Sequence, residues 1–103
     1  MFTLESNSSL ATSGGTGIYF PDSGLVVIMG AASNTSNIGT TTVLATVPSK
    51  YRPSENRSIY GRFNTDANVN SIASVVVRTN NGAITEGSSG YVRSIDFWGV
   101  YKI

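Results

Sequence analysis

The sequence predicts an all-β fold, a small antiparallel β-sandwich or barrel of about eight short strands in a single domain, residues 1–103. Three observations carry that expectation. Apolar residues fall into short runs or alternate with polar ones at the period of two that a pleated strand imposes. No stretch keeps them at the helical spacing of about 3.6 residues. Between the apolar stretches lie clusters of Gly, Pro, Asn, Asp and Ser, the residues that tight turns require.

Taken in order, Phe2 to Leu4 reads as a short first strand, and the polar run from Ser6 to Gly17 as a long surface loop. Ile18, Tyr19 and Phe20 form a strand that turns at Pro21-Asp22-Ser23-Gly24 into Leu25 to Met29. That second run is apolar without alternation, so its strand should be covered on both faces, by its own sheet and by a further layer or a neighbouring subunit. Ala31 to Thr40 reads as another polar loop, and Thr41 to Val47 as a strand rich in β-branched residues. The chain then turns through Val47-Pro48-Ser49-Lys50-Tyr51-Arg52-Pro53. Its prolines cannot donate to a ladder, and each biases the residue before it towards extended backbone. Tyr51 is expected to pack back on the fold as a plug.

Beyond the hinge, Ser58 to Asn64 alternates, with Ile59, Gly61 and Phe63 inward and Ser58, Tyr60, Arg62 and Asn64 outward. Thr65 to Asn70 is loop, Ile72 to Arg78 a strand, Asn80-Asn81-Gly82 a hairpin turn, and Ala83 to Glu86 the return strand. Gly87 to Gly90 reads as a flexible loop. The last stretch, Tyr91 to Ile103, is a strand or strand pair with Ile95, Phe97, Tyr101 and Ile103 on one face and Ser94, Asp96, Trp98, Val100 and Lys102 on the other. Gly99 marks a bulge or a close approach.

Composition narrows the chemistry. The chain has no cysteine and no histidine, which removes disulfides, thiolate metal sites, a cysteine nucleophile and the commonest acid-base group near neutral pH. Seven Lys/Arg against six Asp/Glu give a net charge of +1, with the basic residues scattered singly. That is not the clustered footprint of a nucleic-acid binder. No segment approaches the roughly 20 apolar residues of a membrane-spanning helix, so no membrane insertion is expected. The first residues lack the basic and apolar regions of a signal peptide, which fits a protein released by lysis or a domain excised from a longer chain. No metal and no cofactor is expected, because no acids fall at ligand spacing along one strand or loop.

From Thr41 onward the order of elements is distinctive. A strand runs into Ala45-Thr46-Val47-Pro48-Ser49-Lys50-Tyr51-Arg52-Pro53-Ser54, and Ser58-Ile59-Tyr60-Gly61 follows. An apolar strand then enters the Asn80-Asn81-Gly82 turn, and a glycine-serine loop leads to an aromatic last strand. This succession resembles the C-terminal head of bacteriophage receptor-binding proteins, the tail-fibre or baseplate tips of phages of Gram-positive lactic bacteria. The resemblance covers about the last 60 residues well, and Gly17 to Gly30 weakly. It implies a homotrimeric head that binds host cell-wall saccharide during adsorption, at a phage tail tip or baseplate, extracellular when acting and in contact with other tail or baseplate proteins. It also implies no enzymatic activity. The shoulder and neck segments of full-length family members have no counterpart in this chain.

A saccharide site needs an aromatic ring to stack on the apolar face of a sugar and carboxylate, amide or guanidinium groups for its hydroxyls. Trp98 and Asp96 on the outer face of the last strand are the first candidates, with Tyr60, Arg62 and Asn64 bordering the same groove. The competing reading buries Trp98 in the core or a subunit interface and leaves Tyr60, Arg62 and Asn64 as solvated sheet surface. Asp66, Asn68, Asn70, Asn80 and Asn81 would sit at hairpin tips, as turn residues or as a binding edge. Two further functions are weighed: a trimerisation or attachment module without its own ligand, and a glycan-cleaving tip. The latter requires paired carboxylates about 5–9 Å apart, for which Glu86 and Asp96 are the one candidate pair. The Asn-x-Ser triplets at Asn7, Asn34 and Asn56 match a glycosylation acceptor and read as incidental.

Overall fold

Strands form in two ways along this chain: through β-branched and aromatic side chains in its second half, and through backbone pairing of glycine and hydroxyl residues in much of its first. The computed structural model describes residues 1–39, 41–64, 70–77, 81–86 and 92–103. In chain order the strands are β1 (Phe2–Thr3), β2 (Glu5–Ser6), β3 (Thr12–Phe20), β4 (Leu25–Ile38), β5 (Val43–Thr46), β6 (Arg57–Asn64), β7 (Asn70–Val77), β8 (Ala83–Glu86) and β9 (Val92–Lys102). A single 3₁₀ turn, Ser49–Tyr51, lies between β5 and β6.

All nine described strands belong to one antiparallel sheet in the order β1-β3-β4-β9-β6-β7-β8-β5-β2. The two ends of that order are one piece of chain. Phe2 and Thr3 pair with Gly17 and Thr16 of β3, whereas Glu5 and Ser6 pair with Thr46 and Ala45 of β5. Leu4, between them, donates its N–H to the Gly15 carbonyl at 2.9 Å and buries its side chain to 1% exposure. Residues 2–6 therefore act as a strap that brings the two sheet edges together into a nearly closed barrel. Asn7 continues the closure: its N–H donates to Ser13 Oγ and its amide Nδ2 to the Val43 carbonyl, both at 2.8 Å, while the Ser13 hydroxyl donates to the Leu44 carbonyl. Closure removes the unpaired edges that an open sheet would present.

Alternation decides the interior. Val26, Ile28, Leu44, Ile59, Val75, Ile84, Ile95, Phe97 and Tyr101 fill the barrel at 4% exposure or less. The alternation predicted for Ile59 and Gly61 and for Ile95, Phe97 and Tyr101 is the one observed. Gly99 is a close-approach site: the β4–β9 register continues through it, and a Cβ there would lie 2.3 Å from Ile59 Cγ2. Gly82 in the β7–β8 connection adopts a φ of 72°, the left-handed region a hairpin turn demands.

The hinge closes one end of the barrel. β5 ends at Thr46, Arg52 is extended, and its Nε donates to the Val47 carbonyl at 2.9 Å. Tyr51 packs inward as expected. Phe2 stacks on its ring with centroids 4.0 Å apart, Tyr19 meets it at 5.6 Å, and the Tyr101 hydroxyl donates to its carbonyl.

Several expectations are corrected. Thr12 to Gly17 is strand, not loop, and Leu25–Ile38 is one long strand where a loop from Ala31 was expected. Ile103 lies past the end of β9 and is 41% exposed instead of inward, its N–H donating to Gly24. Among the described residues of the single chain one face of the Leu25 to Met29 run is covered, and the expected cover of the other by a neighbouring subunit stays an expectation. Val26 and Ile28 are fully buried, but Leu25 and Met29 remain 37% and 57% exposed. The tip residues Asp66, Asn68 and Asn80 and the loop Gly87 to Gly90 lie outside the described residues.

Candidate functional site

From Tyr60 to Asn64, β6 pairs with β9 without a shift in register. Tyr60 faces Trp98, Arg62 faces Asp96, and Asn64 faces Ser94. The candidates Trp98, Asp96, Tyr60 and Arg62 thus lie on the outer surface of two adjacent strands; Asn64 shares their strand and register, and its side chain is outside the described ones. Tyr60 is 64% exposed and Trp98 42% exposed, so the indole is not part of the core of the single chain. Arg62 Nη2 donates to Asp96 Oδ2 at 3.4 Å, with both side chains somewhat more than half exposed.

The ring pair and the ion pair therefore occupy successive rows of one sheet face. Neighbouring strands are about 4.8 Å apart, so two aromatic residues stand side by side on the outer face next to a donor and an acceptor. A planar guanidinium offers several N–H donors and a carboxylate several acceptor lone pairs, which suits a ligand with many hydroxyls. The site residues stand on paired strands, not on loops.

The same row extends across β9 onto β4 and β3. Met29 pairs with Trp98, and Thr16 with Met29; one row on, Val27 pairs with Val100 and Ile18 with Val27. Between them lies a cleft of about 150 Å³ lined by Met1, Thr16, Gly17, Ile18, Val27 and Met29. Sequence reading placed Leu25 to Met29 under a cover and so missed these residues as neighbours of the site. The missing signal was register, which only the paired strands show.

Other candidates separate. Asn81 Oδ1 accepts from the Ala83 N–H at 3.0 Å, a turn contact. Asn7 serves the strap, and Tyr51 the plug. Glu86 points into the barrel beside its register partner Val75 at 1% exposure, whereas Asp96 is outside. The two carboxylates face opposite sides of the barrel wall and cannot converge on one glycosidic bond. Among the described residues neither carboxylate oxygen of Glu86 has a hydrogen-bond partner, and burial raises its pKa above the ordinary carboxylate value. Among the described residues no three His, Cys, Asp or Glu side chains come together as metal ligands.

No protein-family model matches this chain, and no curated protein matches it.

Proposed function

We propose that this chain is a host-recognition head of the bacteriophage receptor-binding type, which binds cell-wall saccharide non-covalently through the outer face of β6 and β9. The supporting observation is the pairing of Tyr60 with Trp98 directly beside Arg62 and Asp96. The rings stack on the apolar face of a sugar, the guanidinium donates to its hydroxyls and the carboxylate accepts from them. Binding requires little ordering, because the side chains stand on paired strands. A shallow, exposed site of this kind binds weakly alone. Display in a homotrimer at a phage tail tip or baseplate, outside the cell when acting, multiplies weak sites through effective concentration.

The decisive experiment is binding of the purified chain to host cells and to their extracted wall polysaccharide, with Trp98→Ala as the comparison. The proposal expects binding that Trp98→Ala abolishes while the fold and the oligomer persist. An intact trimer that binds neither cells nor polysaccharide refutes it.

A second reading has its own observation. Ile18, Phe20, Leu25, Met29 and Val100 expose apolar surface on the outer face of β3, β4 and β9. Such a patch fits a module that trimerises or attaches to neighbouring tail proteins and carries no ligand. A trimer without saccharide binding selects this reading, and a monomer at micromolar concentration argues against both.

A further inference from the structure

The apolar cleft lies across the strands from the aromatic row and the charge-balanced polar edge lies one row along them, and together they constrain the ligand more than either does alone. On one side, Arg62 and Asp96 neutralise each other at 3.4 Å. A phosphate or uronate placed there would have to displace Asp96 from Arg62 or lie against its carboxylate. The edge suits uncharged hydroxyls. On the other side, Met29 touches both features: it lines the cleft and is the register partner of Trp98. A sugar ring stacked on Trp98 therefore directs a substituent over Met29 towards Ile18 and Val27.

Size and polarity define that substituent. A cavity of about 150 Å³ holds a benzene-sized group, enough for an acetyl and too small for a fatty acyl chain. Among the lining side chains Thr16 alone is polar, and its register partner on β4 is Met29. A methyl group would contact Val27 and Ile18, and a carbonyl oxygen would accept from Thr16. Resting on the saccharide reading above, we infer that the ligand is a neutral glycan bearing an acetyl group, as an acetamide or an acetyl ester, seated in the β3–β4 cleft.

Calorimetry with wall polysaccharides extracted from lactic bacteria tests this. Each is used native, after mild alkali that removes only esters, and after N-deacetylation with and without chemical re-N-acetylation. The expected result is a loss of about tenfold in affinity on deacetylation, from one buried methyl and one hydrogen bond. Loss already in the alkali arm, not restored by re-N-acetylation, assigns an ester; loss only on N-deacetylation, reversed by re-N-acetylation, assigns an acetamide. Val27→Phe, which fills the cleft, should bind native and deacetylated polymer equally, and so should Thr16→Val to a smaller degree. Equal affinity of the wild type for all forms, with Trp98→Ala still inactive, overturns the acetyl assignment and leaves the saccharide reading standing. Binding confined to phosphate-bearing polymers and steeply weakened by salt overturns the neutrality. Absence of binding to every polymer removes the saccharide reading and this inference with it.

Discussion

Replacing Asp96 by Asn should separate recognition from folding. The carboxylate lies 3.4 Å from Arg62, and two unit charges at that distance attract by about 1.2 kcal/mol in a fully aqueous dielectric. Both side chains are more than half exposed, so the aqueous limit applies, and the cost of ordering two long side chains reduces the net value to about 0.2–1 kcal/mol. Arg62 left alone stays hydrated, which avoids the penalty of an unpaired buried charge. The melting temperature should therefore fall by less than about 8 °C, taking about 4–8 °C per kcal/mol for a domain of this size. Asparagine keeps one acceptor oxygen, so what is lost is the difference between a charged and a neutral hydrogen bond, about 1–1.5 kcal/mol, and affinity for wall polysaccharide should fall about 5- to 13-fold. Differential scanning calorimetry and titration calorimetry on the same preparation give both numbers. A stability loss beyond about 2 kcal/mol would show that the carboxylate belongs to the packing, and unchanged affinity would show that the polar edge does not touch the ligand.

Three further outcomes follow from the interior. Leu4→Ala should cost about 2–5 kcal/mol in urea unfolding, whereas exposed Thr3→Ala should stay within about 0.5; equal effects would mean the strap is not part of the cooperative barrel. Burial holds the proton on Glu86 to higher pH in the folded chain than in the unfolded one. Its contribution to stability is thus complete below the unfolded carboxylate pKa and is lost as pH rises through the raised folded value. Glu86→Gln should match the wild type at low pH and exceed it at neutral pH, and a difference independent of pH would contradict this. Tyr101→Phe leaves the Tyr51 carbonyl without its donor and should cost about 1–3 kcal/mol by thermal unfolding, with no change in saccharide affinity.

Legibility in the sequence followed side-chain chemistry. Ile95, Phe97 and Tyr101 against Asp96, Trp98 and Val100 could be assigned to faces because Ser94 to Phe97 alternates polar and apolar and the period of two carries that assignment onward, and Asn81-Gly82 announced its turn. The run from Thr12 to Gly17 carries no such contrast. Its pairing with residues 28–33 rests on backbone hydrogen bonds, with Gly14 facing Ala31 and Gly15 facing Gly30, so that small residues let the strands approach. Turn propensity is overridden by that context. Glu5 and Ser6 gave no sign of pairing with β5, since the contact is between segments far apart in sequence. For the candidate site, the outward direction of Tyr60, Arg62, Asp96 and Trp98 was readable one strand at a time. Which residue faces which was not, because register is a property of two strands. The burial of Glu86 was equally hidden: an acid at the end of a short strand looks like surface until its partner Val75 is known.

The strap has a kinetic consequence. Phe2 and Thr3 can dock on β3 as soon as the β3–β4 hairpin exists, but Glu5 and Ser6 must await β5. That strand leans in turn on β8, which is synthesised much later. The residues made first are then among the last to find all their partners, and the transition state must meet the entropy of joining distant parts of the chain. Until they do, β3 and β5 each present an open edge of the kind that templates intermolecular pairing. Refolding yield should consequently depend more steeply on protein concentration than the stability of the finished barrel would suggest.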